Sequence, residues 1–384
     1  MYERVLDERQ IASDIIDAVR STTDAPLSSC IEAARSCMAV MAPFIHDCSV
    51  KVRSRGESFV RIQEAVNSYT VQVDNCYDYR LLSEMKERLT ALFKEKYELS
   101  FSTEQDDDVL VKYLGMFASC VKKTDPRVSM HLISMDDYQW MDHLINVYQI
   151  DQSDPVRLAS LRCIVALVDV CSDLITYILN SRLPEVVALQ FQSLSTNLSE
   201  LDLTALKLMT TIYSTEETPP LHHFEFFDTN VFMKLMSHME QYPLEIMDFV
   251  VNFNGLLRET QQNTIIAALR ESPCPLLGQL LVKVVNEQTT ERRLKLLNDI
   301  IAQDVLYKQL FYSNDLNVLS NILARELINS ENRTIRSLCM GSICRLAEIG
   351  YCNETAREAV QNSDFDDELR LRTLDVIEKT MSSG

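Results

Sequence analysis

Asp154-Pro155-Val156-Arg157-Leu158-Ala159-Ser160-Leu161 returns, loosened, as Asn332-Arg333-Thr334-Ile335-Arg336-Ser337-Leu338 and again as Asp366-Asp367-Glu368-Leu369-Arg370-Leu371-Arg372. Each stretch opens on a polar or acidic residue, continues through an aliphatic residue to Arg, and runs into an apolar helical pattern. The opener is placed to cap a helix and the aliphatic residue to anchor it in a core. The Arg can then reach an acid on the adjacent turn or repeat, which reads as a structural ladder rather than a binding site. The copies are unevenly spaced, so the array they predict is irregular.

These openings resemble the start of the inner helix in HEAT and armadillo repeats. Composition agrees. Only 7 of the 384 residues are Gly, which disfavours phosphate-cradling loops, dinucleotide-binding turns and tight hairpins. Helix formers dominate, and 46% of the chain is hydrophobic, enough to bury a continuous core. The expected fold is all-α, an irregular armadillo/HEAT-like α-solenoid over residues 1–384 as one helical domain. A solenoid escapes the size limit on single cores because each repeat buries its face on its neighbours.

Helical periodicity runs almost from end to end. A first helix is predicted over Glu3 to Arg20, and a second carries Ile31, Met38 and Met41 after a Ser28 or Ser29 cap. Pro43 and Gly56 bracket the next connection. The cluster Glu104, Asp106, Asp107 and Asp108 suits a helix N-terminus and opens a helix over Val109 to Val121. Breakers at Pro155, Pro184, Pro219-Pro220, Pro243, Pro273-Cys274-Pro275 and Gly350 punctuate the rest.

A net charge of −19 opposes nucleic acid or anionic lipid as the main partner. No apolar run is long enough for membrane insertion. The 11 Cys are scattered, without a CxxC, and read as reduced buried thiols of a cytosolic protein. No secretory signal opens the chain, and the sequons at Asn197, Asn332 and Asn353 read as chance matches.

No phosphate-binding loop or nucleophile elbow is present, so no catalytic residue, cofactor or metal is assigned and the chain is read as a non-enzyme. His222, His223, Glu225 and Asp228 are ligand types, but adjacent His residues diverge by about 100° on a helix. They read as a solvated, aromatic-rich helix start. Phe224, Phe226, Phe227, Val231, Phe232, Met233, Leu235, Met236 and Met239 offer a docking groove, although Met and Phe at helical spacing are more often core. Between Glu291 and Arg345 the charge reverses, with eight basic residues against six acidic. Arg292, Arg293, Lys295, Lys308, Arg325, Arg333 and Arg336 are therefore the candidates for contacting an acidic partner. Three cations near one helix start oppose its dipole, which favours a functional reason for Arg292, Arg293 and Lys295.

The most specific stretch is Leu310-Phe311-Tyr312-Ser313-Asn314-Asp315-Leu316-Asn317-Val318-Leu319-Ser320-Asn321-Ile322-Leu323-Ala324-Arg325-Glu326-Leu327. An aromatic pair precedes a Ser-Asn-Asp cap, and Leu316, Leu319, Leu323 and Leu327 form an apolar stripe. The stretch resembles the signature of the Dip/Ldb and Nck-interacting WISH family. Glu245 to Asn254 and Leu297-Asn298-Asp299 extend the likeness, which is strongest over 240–350, and the length is similar to members made only of the armadillo-like domain. The resemblance implies binding and activation of the actin-related protein 2/3 complex without a pre-existing filament. The product would be a linear filament that seeds branched networks in cytoplasmic, cortical and endocytic actin patches. The filament end is then met only indirectly. The one Trp is Trp140, and no acidic Trp tail or actin-monomer-binding tail is visible, so activation is expected from a folded surface. The alternatives are a generic armadillo-like scaffold that binds peptides in a concave groove, and a metal-dependent enzyme using His222, His223 and Glu225.

Overall fold

The computed structural model describes residues 7–49, 53–98, 107–195, 197–258, 261–364 and 367–383. Among them every regular element is a helix, and no described helix is long and apolar enough to cross a membrane. Contacts divide the chain into two compact units, Met1–Tyr177 and Ile178–Gly384. Both are all-α, α-solenoid-like stacks.

The first unit holds α1 (Glu8–Thr23), α2 (Leu27–Ser49), α3 (Arg53–Asn67), α4 (Tyr77–Glu98), α5 (Asp107–Val121), α6 (Pro126–Ser134), α7 (Gln139–Ile150) and α8 (Asp154–Val170), and the boundary falls inside α9 (Leu174–Leu179). The first six residues lie outside the described residues, so the predicted first helix is seen from Glu8, and it runs three residues past Arg20. Pro43 and Gly56 lie within α2 and α3 rather than bracketing a connection. Pro43 removes one N–H from α2 without ending it. Asp107 and Asp108 open α5 as expected, whereas Glu104 and Asp106 lie outside the described residues. Trp140 anchors the core, with its ring 5.0 Å from Phe117 and 6.1 Å from Phe93. Two buried ion clusters tie the helices together. Arg20 of α1 meets Asp78 of α4 at 2.9 Å, and Lys96 of α4 joins Asp107 of α5 and Asp151 beyond α7.

The second unit continues with α10 (Leu183–Gln192), α11 (Glu200–Tyr213), α12 (His223–Phe226), α13 (Thr229–Met236), α14 (Pro243–Leu256), α15 (Thr264–Glu271), α16 (Pro275–Glu287) and α17 (Glu291–Ile301). It closes with α18 (Leu306–Leu310), α19 (Ser313–Asn329), α20 (Arg333–Glu348), α21 (Glu354–Asn362) and α22 (Asp367–Ser383). Helices stack three apart along the chain up to α20 and two apart at the C-terminal end. One row runs α11, α14, α17, α20 and then α22, and a second runs α16, α19 and α21. This nearest-neighbour packing is what a helical repeat needs to bury its apolar faces.

The Arg of the repeat opener has a defined task. Arg157 donates from Nε to the Tyr148 carbonyl at 3.1 Å, and Arg336 does the same to the Leu327 carbonyl at 3.1 Å. Arg370 donates to the Ser363 carbonyl at 3.3 Å. A helix leaves its last four carbonyls without intrahelical partners. Each Arg, near the start of one helix, thus satisfies the exposed end of the one before it. The ladder expected to run from Arg to acid runs first from Arg to carbonyl, with Asp154 and Asp364 as additional partners. Asp366, which opens the third copy, lies outside the described residues.

The described cysteines are unpaired thiols, and most are buried. Asn332 and Asn353 are helix caps. Their side chains accept from the backbone N–H groups of Thr334 and Ile335, and of Ala356. Their amides are engaged as well, with Glu291 and Asn321, so the two sequons have a structural explanation.

Candidate functional site

The start of α17 explains the three crowded cations. Arg292 is half-buried and donates through Nη1 to the Tyr213 carbonyl and through Nη2 to the Thr215 carbonyl, both just past α11 or at its end. It also reaches Asn252 of α14, at 3.3 Å to the carbonyl and 3.2 Å to Oδ1. Burial holds its guanidinium below the ordinary Arg value, opposed by the charge of Glu216. Gly255 makes the room: a Cβ there would lie 2.7 Å from Arg292 Cγ. Arg293 donates to the carbonyls of Val284 and Gln288 at 2.9 and 2.7 Å, closing the end of α16. Arg293 is therefore a further copy of the opener Arg, with Thr290 as its cap. The dipole of α17 is offset for Arg292 and Arg293 because the negative ends of α11 and α16 lie within their reach.

Lys295 is also committed. Its ammonium bonds Asp299 Oδ2 at 2.9 Å, and Asp299 accepts from Asn254 Nδ2 at 2.9 Å and Asn263 Nδ2 at 3.3 Å. Asn254 is fully buried, and Asn263 caps α15. Asn298 reaches across to the Leu338 carbonyl and Ser342 of α20. Asn254 and Asp299 thus share one polar network joining α14, α15 and α17, and Asn298 separately ties α17 to α20.

The remaining candidates differ. Arg336 is held by Leu327 and Asp364. Arg325 pairs with Glu326 at 2.9 Å and bonds Asn286, yet stays exposed. Lys308 lies over its neighbour's ring, 5.6 Å from the Tyr307 centroid, and Arg333 is exposed at the first position of α20. The seven residues do not form one outward basic patch. Lys308, Arg325 and Arg333 face solvent, whereas Arg292, Arg293, Lys295 and Arg336 hold helices together.

The signature segment is divided between core and surface. Leu316, Leu319, Leu323 and Leu327 are buried, and Phe311 packs at the corner before α19. The cap sits one residue earlier than the sequence implies. Tyr312 is the N-cap, with its N–H donating to Asp315 Oδ2 at 3.0 Å. On the outer side, Asn321, Arg325 and Ile328 combine with Thr355, Glu358 and Asn362 of α21 to line an open groove of about 370 Å³. Ala324 and Ala359 form its floor. Ile328 remains 49% exposed, the apolar centre of a polar rim. The part played by α21 is not legible locally, since the α19–α21 contact joins segments about thirty residues apart. The small residues Ala356 and Ala359 are its one trace in the sequence.

The His cluster is dismantled by the fold. His223 is buried, with Nδ1 3.0 Å from the Tyr213 hydroxyl, and its pKa is pushed down to about 4 by burial and by His222, against the Leu179 backbone. Asp228 caps α13 through the Val231 N–H, and Glu225 is exposed. Among the described residues no group of three or more His, Cys, Asp or Glu is arranged to hold a metal. Phe227, Val231, Phe232, Leu235, Met236 and Met239 are buried with Phe249 and Phe253 as an aromatic core, not an open groove.

No known protein-family profile matches the chain. Among solved structures it is similar to the crystal structure of an engineered protein, at 14% identity and a TM-score of 0.44, over 99% of this chain and 87% of the other.

Proposed function

We propose that the chain is a non-enzymatic activator that binds the actin-related protein 2/3 complex through the α19–α21 face. It would trigger nucleation of linear filaments without a pre-existing filament, seeding branched networks at cortical actin patches. The reading rests on the signature segment. The observation that carries it is the division of labour on α19: the Leu stripe is core, while Asn321, Arg325 and Ile328, from the same stretch, line a groove open to solvent. An exposed aliphatic residue ringed by amides, a hydroxyl, a cation and the acid Glu358 is the pattern of a small contact centre with a polar rim. Activation then needs tighter binding to the nucleating state of the complex than to its resting state.

The test is pyrene-actin assembly with purified complex and no preformed filaments. The chain is expected to shorten the lag, and Ile328→Asp with Arg325→Glu to remove most of that effect while the protein stays folded. Failure of the wild-type chain to bind or activate the complex removes the proposal. Activation that survives both substitutions moves the contact away from α19. Capture of peptides without activation would favour the scaffold reading.

A further inference from the structure

The first unit carries a second groove, unrelated to the α19–α21 face. It measures about 470 Å³, with Val73, Pro126, Met130 and Val170 as apolar walls. Its polar lining is asymmetric. Arg127 of the lining is closed by Asp125, which accepts from Nε at 3.0 Å and Nη2 at 2.9 Å, so this cation is neutralised in place. Asp173, which lines the groove together with His131, is exposed and forms no ion pair with a Lys or Arg among the described residues. Its charge is felt inside the groove: the Cys171 thiol is pushed up to about 11 by burial and by Asp173.

The negative field continues past Asp173. One turn along α9, Tyr177 stacks on Tyr138 with centroids 4.8 Å apart and donates its hydroxyl to Asp142. Burial, Asp142 and Asp136 together hold its phenol above the ordinary Tyr value. Asp137 and Tyr138 both have positive φ, 51° and 65°. Over Asp125 to Tyr177 the chain has eight Asp against three Arg, with no Lys or Glu, although Lys86 and Lys96 of α4 pair with Asp136 and Asp151. Of those Arg, Arg127 and Arg157 are tied to Asp125 and Asp154.

The geometry points to a docking site in which this groove takes a basic, apolar-interleaved peptide segment of a partner protein. An apolar side chain fills the space between Val73, Met130 and Val170, and an Arg or Lys of the segment meets Asp173. Charge complementarity selects this occupant. An acidic segment would be repelled by Asp173, and a neutral one would leave it without a counter-charge. The stacked Tyr138–Tyr177 face beside Asp142 offers a second cation a ring and a carboxylate together.

The test is fluorescence anisotropy on the full chain with the probe fluorescein-Gly-Leu-Arg-Leu-Arg-Gly-amide, and with matched peptides carrying citrulline or Glu for Arg. The Arg peptide is expected to bind at least tenfold more tightly than either. Asp173→Lys should cost tenfold or more and Met130→Gln threefold or more, while Asp304→Lys, the same charge change in the other unit, stays within twofold of wild type. The Glu peptide should gain affinity on Asp173→Lys, a swap that a misfolded protein cannot give. Wild-type affinity in Asp173→Lys overturns the assignment. So does an equal loss in Asp304→Lys, which would mean diffuse attraction to an acidic chain.

Discussion

Replacing Arg292 with Met keeps the length of the stem over Gly255 and removes the guanidinium. The acceptors left behind belong to Tyr213, Thr215 and Asn252, on two helices of the row that α17 continues. A hydrogen bond to a charged group contributes about 1.5–3 kcal/mol. Three such losses do not add, because water can reach part of this half-buried site and because the cost of burying the charge is relieved. A net destabilisation of about 2–4 kcal/mol follows. For a unit of this size each kcal/mol moves the midpoint by about 2–4 °C, so calorimetry should show the Ile178–Gly384 transition about 4–16 °C lower. Arg292→Lys should recover only part of this, since an ammonium cannot fork between two carbonyls. Reversing Arg292, Arg293 and Lys295 to Glu should therefore unfold the unit before it tests any partner. A Met variant that melts within a degree of wild type would refute this account and return Arg292 to the surface.

Asp315→Ala alone should cost about 1 kcal/mol by chemical denaturation, since it is the side chain that caps the Tyr312 N–H, and Asn314→Ala should cost far less. Gly278→Ala places a Cβ 2.1 Å from the Leu310 carbonyl oxygen, a backbone atom that cannot swing aside, and should destabilise by about 2–3 kcal/mol. His223 is neutral in the fold at pH values where the unfolded chain already binds a proton. Its contribution is present above about 6.5 and is lost as pH falls from there toward about 4, a loss of a few kcal/mol that His223→Asn should flatten in a pH series of melts.

Much of the fold is legible because helical periodicity is a local property. The Leu stripe of α19, the Asp107–Asp108 helix start and the three Arg openers can each be read within one turn or two. Pro43 misleads because a break in local propensity can be overridden by packing, and α2 runs through it. The partner surface is less legible for a definite reason. Whether a cation at a helix start is exposed depends on which other helix ends nearby, and the ends of α11 and α16 reach Arg292 and Arg293 only through the stacking of rows. Lys308 and Arg333 look no different in sequence, yet they remain at the surface.

The carbonyl contacts of the opener arginines have a consequence for how such a chain can diverge. Tyr148 to Arg157, Val284 to Arg293 and Leu327 to Arg336 each span nine residues, and Ser363 to Arg370 spans seven, so the short connection inside each span is fixed in length by the reach of one side chain. Insertions and deletions should be rare at these junctions and gather at connections that no such contact bridges, such as those flanking α12 and α18. In a distant relative, the nine-residue interval before an Arg would then be a steadier landmark for alignment than the identity of the residues around it.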